Sequence, residues 1–258
     1  MRGMVALVLM ACAPGEGVVE VSIWGEDEVT ETLQTDDGWT VTVDQWVLAV
    51  TAVELGDDKT EETVARSSDA YVVDLAQHDT PVLLTDIPAP AGRLVFGFTI
   101  DSPPEDAVVI DDVAGLAEQM TAEGWVHVVR GSATDGTRTV AFDWALDLPA
   151  RHSNCEDGTD GTAGLAVSAD AATQAVLTVH PDHLLWTALG TEEAALGFGA
   201  IADADGGDGV VDSDDLRAVS TLDIGYETSG LADTLYDFVA FSVAQAGHLN
   251  GDGLCRVR

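Results

Sequence analysis

The sequence has very little positive charge. Its 258 residues include 46 aspartates and glutamates against 10 lysines and arginines, Lys59 is the single lysine, and the formal net charge is −36. A surface this negative repels the phosphates of nucleic acids and the head groups of anionic lipids. The composition therefore excludes nucleic acid as a partner and electrostatic binding to a membrane surface, and it favours the binding of divalent cations.

Long apolar runs and common catalytic motifs are also missing. After the N-terminus no stretch reaches the length of about 18 apolar residues that a membrane-spanning helix needs. There is no Gly-x-Ser-x-Gly, no Walker loop, no Gly-x-Gly-x-x-Gly and no His-Glu-x-x-His. The sequence predicts a protein that is not an enzyme. A surface hydrolase that uses His180 or His183 with Asp182 is a less favoured alternative.

Cysteine is scarce, and the first of the three ends a segment that reads as an export signal. Residues 1–11 combine one arginine with a short apolar run, and Leu9-Met10-Ala11-Cys12 resembles the lipobox of bacterial lipoproteins. An ordinary secretory signal or a buried strand is the alternative. We predict a signal peptide over 1–11, a lipid on Cys12 and a tether over 12–17, with Ala13 favouring the outer membrane.

Export makes a disulfide feasible, and the two remaining cysteines allow one intramolecular bridge. Cys155 lies in a polar loop and Cys255 lies close to the C-terminus. Two free thiols or a thiolate metal ligand are the alternatives to a bond between them. The bond would bring His152 and His248 close to each other.

Alternation of apolar and polar residues is typical of the region from residue 18 to 180. It is clearest at 94–100 and 142–148, where every second residue is apolar, and such a period indicates strands with one buried face. Asp135-Gly136 predicts a two-residue hairpin turn, and residues 111–120 a short helix. About eight short strands predict a mainly β domain, an Ig-like or transthyretin-like β-sandwich.

The pattern changes after Val179. Leu231, Leu235, Phe238 and Val239 follow helical spacing, which predicts an amphipathic helix over about 231–246. Residues 181–258 are therefore predicted to form a helical segment that carries an acidic loop.

The acidic loop at residues 203–215 resembles an EF-hand or dockerin calcium loop, in which oxygens at fixed positions surround the ion and glycine occupies the central turn. One extra glycine before Asp208 departs from the usual spacing. The alternatives are a solvated acidic turn, or Asp212 acting only as the N-cap of a helix. With Gly209 at the central turn, the predicted calcium ligands are Asp203, Asp205, Asp208, the carbonyl of Val210, Asp212 and Asp215.

Two histidines offer a second cation site. His180-Pro181-Asp182-His183 places two imidazoles three residues apart where a strand gives way to a helix. Imidazole pairs suit zinc or copper, and Asp182 is either a ligand or an acceptor that orients one. Two structural histidines bonded to backbone groups are the alternative. The sequence thus predicts a lipid-anchored protein with a structural calcium loop first, and a copper- or zinc-handling protein second.

Several segments together resemble a group of lipoproteins from myxobacteria and related predatory bacteria. The similar stretches cover most of the chain after the signal peptide: residues 24–26, 37–41, 142–144, 177–184, 201–216 and 247–251. Pro181 and the extra glycine of the acidic loop depart from the pattern of the group. The resemblance implies the lipid anchor and the calcium loop, and it implies no particular biochemical activity.

Overall fold

The computed structural model of the chain describes residues 15–57, 59–60, 62–191 and 194–258. The predicted signal peptide, Cys12 and the first residues of the tether lie outside this part of the chain. The described chain is mainly β, with 45% of residues in strands and 19% in helices. This confirms the β class that the period-2 alternation predicts.

The strands run through the whole chain. In order they are β1 (Glu16–Trp24), β2 (Thr32–Gln34), β3 (Thr40–Asp57), β4 (Thr63–Arg66), β5 (Tyr71–Asp74), β6 (Val82–Pro90), β7 (Gly92–Ile100), β8 (Val108–Val109), β9 (His127–Thr134), β10 (Thr139–Leu146), β11 (Ala150–Ser153), β12 (Glu156–Asp157), β13 (Thr162–Ala163), β14 (Leu165–Val167), β15 (Thr173–Val179), β16 (Val210–Asp212), β17 (Gly247–Leu249) and β18 (Arg256–Val257).

The helices are short. They are α1 (Glu26–Thr30), α2 (Ala114–Glu123), α3 (Gly199–Ala202), α4 (Ser213–Ala218), α5 (Thr221–Ile224) and α6 (Leu235–Val243), with 3-10 turns at Leu75–Gln77 and Pro181–Leu184. The predicted helix at 111–120 is α2, shifted by three residues. The predicted helix at 231–246 is the shorter α6, because Thr234 caps its N-terminus in a capping box with Asp237.

Two sheets share the main core. A four-stranded sheet has the order β17-β15-β1-β6, and a twelve-stranded sheet has the central order β16-β10-β9-β3-β7-β11-β18. Alternate residues of β1, such as Val21 and Ile23, belong to the same buried cluster as Phe96 and Phe98 of β7. A second, smaller cluster lies under α2 around Met120.

Three strands after the predicted boundary at residue 180 join sheets formed before it. β16 pairs in parallel with β10, β17 pairs with β15, and β18 pairs with β11. The residues after 180 therefore complete both sheets as well as supplying most of the helices.

The Asp135-Gly136 turn does join two strands, β9 and β10, but not as a two-residue turn. The loop contains four residues, and the amide of Asp135 donates to the carbonyl of Arg138. Gly136 has a positive φ of 83°, whereas a turn of type I′ needs two such residues. The carboxylate of Asp135 accepts the amides of Thr137 and Arg138, which stabilises the longer loop.

Candidate metal centre

Strand pairing brings His180 and His248 side by side. β15 and β17 are antiparallel, with Thr178 opposite His248, and the amide of His180 donates to the carbonyl of Ala246 over 2.9 Å. The two ring centres are 4.2 Å apart. His248 was not among the predicted metal ligands, because its position in the sequence gives no sign of this pairing.

The 3-10 turn after β15 folds His183 toward the same place. Its ring centre lies 6.3 Å from that of His180 and 5.8 Å from that of His248. The Nδ1 atom of His183 is 3.0 Å from the carbonyl oxygen of Ser242, so Nδ1 carries the proton and donates it. The ring of Trp186 stacks on His183 at 3.6 Å. The side chain of His183 is thus held with its other nitrogen, Nε2, available.

The three imidazoles line a cavity of about 560 Å³. Carboxylates stand around it: Oε2 of Glu26 is 3.6 Å from Nδ1 of His180, and Oδ1 of Asp252 is 4.0 Å from Nε2 of the same ring. Asp182 also lines the cavity, but its Oδ2 accepts a hydrogen bond from the indole of Trp186. This oxygen of Asp182 is therefore bonded to Trp186, and neither predicted role of Asp182, metal ligand or acceptor for a metal-binding histidine, is seen in the structure.

A fourth histidine lies behind this cavity. His152 is 1% exposed, its ring stacks on Phe98 at 4.3 Å, and neither of its nitrogens makes a hydrogen bond of good geometry within the described chain. A side chain at Gly247 would place its Cβ 2.7 Å from Nε2 of His152, so only glycine fits there. Nδ1 of His248 is likewise buried without a partner among the described residues.

Burial keeps the imidazoles of His248, His183 and His152 neutral. It lowers the pKa of His248 to about 3, with the neighbouring imidazoles adding to the effect. It lowers the pKa of His183 and of His152 to about 4 in each case. A neutral imidazole has a lone pair on one nitrogen, which is the form that binds metal ions. At neutral pH His183 and His248 therefore offer the cavity nitrogen donors without positive charge.

The spacing of the rings is close to what one metal ion demands. Two imidazoles on one tetrahedral zinc have ring centres about 5 Å apart, because each Zn–N bond is about 2.0–2.1 Å long. The observed separations of 4.2, 5.8 and 6.3 Å bracket that value. As they stand, no three His, Cys, Asp or Glu side chains in the described ranges are arranged to hold an ion. Ligation requires rotation of the rings.

The predicted disulfide is confirmed. Cys155 and Cys255 are bonded, with their Cα atoms 4.0 Å apart. Cys155 is buried, whereas Cys255 is half-buried and lines the histidine cavity. The bond fixes the C-terminal residues around β18 against β11 and so fixes one wall of the cavity. The proximity of Gly247 to His152 agrees with the predicted approach of His152 to His248.

The acidic loop lies elsewhere, between α3 and α4. Its entrance is fixed by Asp37, whose carboxylate accepts the amides of Phe198 and Gly199 at the start of α3. Its exit is fixed by Asp212, the N-cap of α4, in a capping box with Asp215. The N-cap role considered for Asp212 is therefore confirmed.

The remaining carboxylates of the loop have separate partners. One oxygen of Asp205 accepts the amides of Gly207, Asp208 and Gly209, and these bonds lower the pKa of Asp205. Asp208 accepts the amide of Val210, whose side chain is exposed on β16. Asp203 pairs with Arg138 at 2.5 Å. The calcium ligand set stays a prediction.

Comparison with known proteins yields no relative: no family model, no curated protein and no solved structure matches the chain. No helix among the described residues is long and apolar enough to cross a membrane.

Proposed function

We propose that this protein binds one transition-metal ion, zinc or copper, with His180, His183 and His248. The observation that supports the proposal is the presence of three imidazoles, from two distant segments of the sequence, around one cavity of about 560 Å³. Imidazole suits zinc and copper better than calcium or magnesium, which prefer oxygen ligands. His248 thus joins the two histidines, His180 and His183, that the sequence alone suggests as ligands.

The hydrogen bonds select the donor atoms. Nδ1 of His183 donates to Ser242, which leaves Nε2 for the metal. His248 offers Nδ1, the buried nitrogen without a partner in the described chain. Nε2 of His180 donates to the carbonyl oxygen of Gly251 over 3.4 Å and Nδ1 faces Glu26, so His180 can bind the metal through Nε2 only when it releases Gly251. Second interactions of this kind normally fix the tautomer and orientation of metal-binding histidines.

Native mass spectrometry after loading with zinc or copper tests the proposal. We expect one ion per wild-type chain and a loss of bound metal in His180→Ala, His183→Ala and His248→Ala. His78→Gln is the matched control, because His78 pairs with Asp111 outside the cavity and should not affect occupancy. Equal occupancy in all four variants and the wild type would refute the site.

Calcium binding by the acidic loop is a second proposed function. The supporting observation is the frame of the loop: α3 precedes it, the short β16 closes it, and α4 follows with Asp212 and Asp215 at its first turn. Val211, at the aliphatic position of the resembling loops, is fully buried. Calcium here would have a structural role, because the loop connects the core of the larger sheet to α4.

The setting that we propose is outside the cytoplasm. Disulfides persist mainly in oxidising compartments, and Cys155–Cys255 supports export. The lipobox-like segment then predicts attachment to the outer membrane through a lipid on Cys12 and through no other contact with the membrane. The shared core of the two sheets supports a β-sandwich of Ig-like or transthyretin-like kind.

A further inference from the structure

A second cavity lies on the face of the four-stranded sheet that points away from the main core. It has a volume of about 480 Å³, which is within the range of small-molecule sites. Ile23 and Leu177 belong to the core. Because successive residues of a strand face opposite ways, Trp24, Val176 and Thr178 lie on the other face, and all three line the cavity. Strand pairing places Trp24 of β1 beside Thr178 of β15.

A hydrogen-bond network around Asn250 forms one wall of this cavity. Oδ1 of Asn250 accepts the amide of Val176 over 2.8 Å, and its Nδ2 donates to Oδ1 of Asp157 over 3.0 Å. The two loops approach closely at Gly158, where a Cβ would lie 2.2 Å from the carbonyl oxygen of Asn250. The fold therefore holds the carboxylate of Asp157 at the edge of the cavity.

The hydrogen bonds of the cavity occupy donors and leave acceptors open. The amide and the hydroxyl of Thr159 also donate to Oδ1 of Asp157, over 3.0 and 2.7 Å. The other oxygen, Oδ2, receives no hydrogen bond from any described residue. Nε2 of Gln174 donates to Glu20, and its Oε1 is an acceptor. A ligand that brings N–H donors therefore complements this cavity better than one that brings acceptors.

The charge and the apolar surface of the cavity favour a cation with a carbon chain. No lysine or arginine of the described chain lines it, and the net charge of −36 attracts cations to the protein and repels anions. Nε1 of Trp24 is buried, so the accessible part of the indole is carbon, and the face of such a ring attracts cations. Val176 and Pro81 add apolar surface beside it.

We propose that this cavity binds a small organic cation, a primary alkylammonium ion. The ammonium group donates to Oδ2 of Asp157, and the carbon chain packs against Trp24 and Val176. A primary ammonium is selected over a quaternary one, because Oδ2 needs an N–H donor. The site is separate from the histidine cavity and from the acidic loop, so it does not depend on the functions proposed for them.

A ¹H–¹⁵N NMR titration of the full chain in EDTA, with n-butylammonium chloride at neutral pH, tests the proposal. We expect saturable shifts of the amide signals of Thr159, Val176 and Gly251, and no such shifts with potassium chloride at the same ionic strength. Methylammonium should bind more weakly, by up to roughly fourfold for each methylene that the longer chain buries. Tetramethylammonium should also bind more weakly, because it has no N–H group.

Two variants test the named contacts. Asp157→Asn keeps an oxygen for the bonds of Oδ1 and removes the charged acceptor, so the Kd for butylammonium should rise by about 10–100-fold. Trp24→Leu should raise it by about 2–5-fold. Asp160→Asn is the matched control, because Asp160 lies in the same hairpin, bonds to Thr162 and is outside the cavity. Its Kd should equal that of the wild type.

The comparison of ligands in the wild type needs no variant to fold. Shifts that are the same for butylammonium and potassium, or tetramethylammonium binding as tightly as butylammonium, would overturn the proposal. Saturable binding of glucose without a response to butylammonium would overturn the class of ligand. An equal loss of affinity in Asp157→Asn and Asp160→Asn would show only a general attraction of cations, which also overturns the site.

Discussion

Reduction of the Cys155–Cys255 bond should destabilise the whole protein and open the histidine cavity. The bonded cysteines are 100 residues apart in the sequence. Closing a loop of that length in the unfolded chain is worth up to about 4.7 kcal/mol in the chain-entropy model. Since each kcal/mol shifts the melting temperature of a domain of this size by about 2–4 °C, the expected decrease is roughly 9–19 °C.

The structure also predicts where the effect begins. Without the bond, β18 keeps two residue pairs with β11, the backbone bonds between Arg151 and Arg258, and the bond from the hydroxyl of Ser153 to the carbonyl of Arg256. Cys255 and Val257 line the histidine cavity, so loosening of this strand removes part of the cavity wall. Zinc affinity should therefore fall in the double variant Cys155→Ala/Cys255→Ala, which lacks the bond and offers no free thiol to the metal, even at temperatures where the remainder of the protein is folded.

Circular dichroism melts with and without a phosphine reductant measure the first effect, and zinc titration at 20 °C measures the second. The double variant Cys155→Ala/Cys255→Ala is the control, because it should melt like the reduced wild type and ignore the reductant. Hydrogen exchange should show the first loss of protection around β18. Identical melting temperatures of the oxidised and reduced protein would refute the reasoning, because the disulfide would then add nothing to the free energy of unfolding.

Three further predictions concern pH, calcium and the N-terminus. In EDTA, the free energy of unfolding should fall as the pH drops from about 6.5 to about 4.5, by up to ~1.4 kcal/mol per pH unit for each buried histidine. In the folded state the pKa values of the buried histidines are about 3 to about 4, below the ordinary value of 6.5; these residues are His127, His152, His183 and His248. The unfolded chain therefore takes up protons first as the pH falls, and the full stability is present only above about pH 6.5. A urea midpoint that stays constant across this range would contradict the assignment. Calcium at 100 times its Kd should stabilise the protein by ~2.7 kcal/mol, or roughly 5–11 °C, with the shift lost in Asp208→Ala and kept in Asp214→Ala; a melt that is the same in millimolar calcium and in EDTA would leave the loop an acidic turn. Mass spectrometry of the protein from its native host should find a lipid on Cys12, and an unmodified thiol there would remove the anchor.

The sequence indicated those features that depend on local pattern or on simple elimination. Alternation at 94–100 identified the strand β7, because one face of a strand is buried whatever its partner is. The disulfide followed from assigning Cys12 to the lipid, which left Cys155 and Cys255 to pair. The N-cap role considered for Asp212 at the start of α4 could also be read locally, because a capping residue lies next to the helix that it caps.

The histidine centre depended on the tertiary structure. His180 and His183 are near each other in the sequence, but His248 and Glu26 arrive through the pairing of β17 and β1 with β15. Neither pairing can be predicted from the alternation of apolar and polar residues. A period of two shows which face of a strand is buried, but it does not identify the neighbouring strands or the register. Composition and local pattern thus determined the class of fold and the disulfide of this protein, and non-local strand pairing decided which side chains share the cavity.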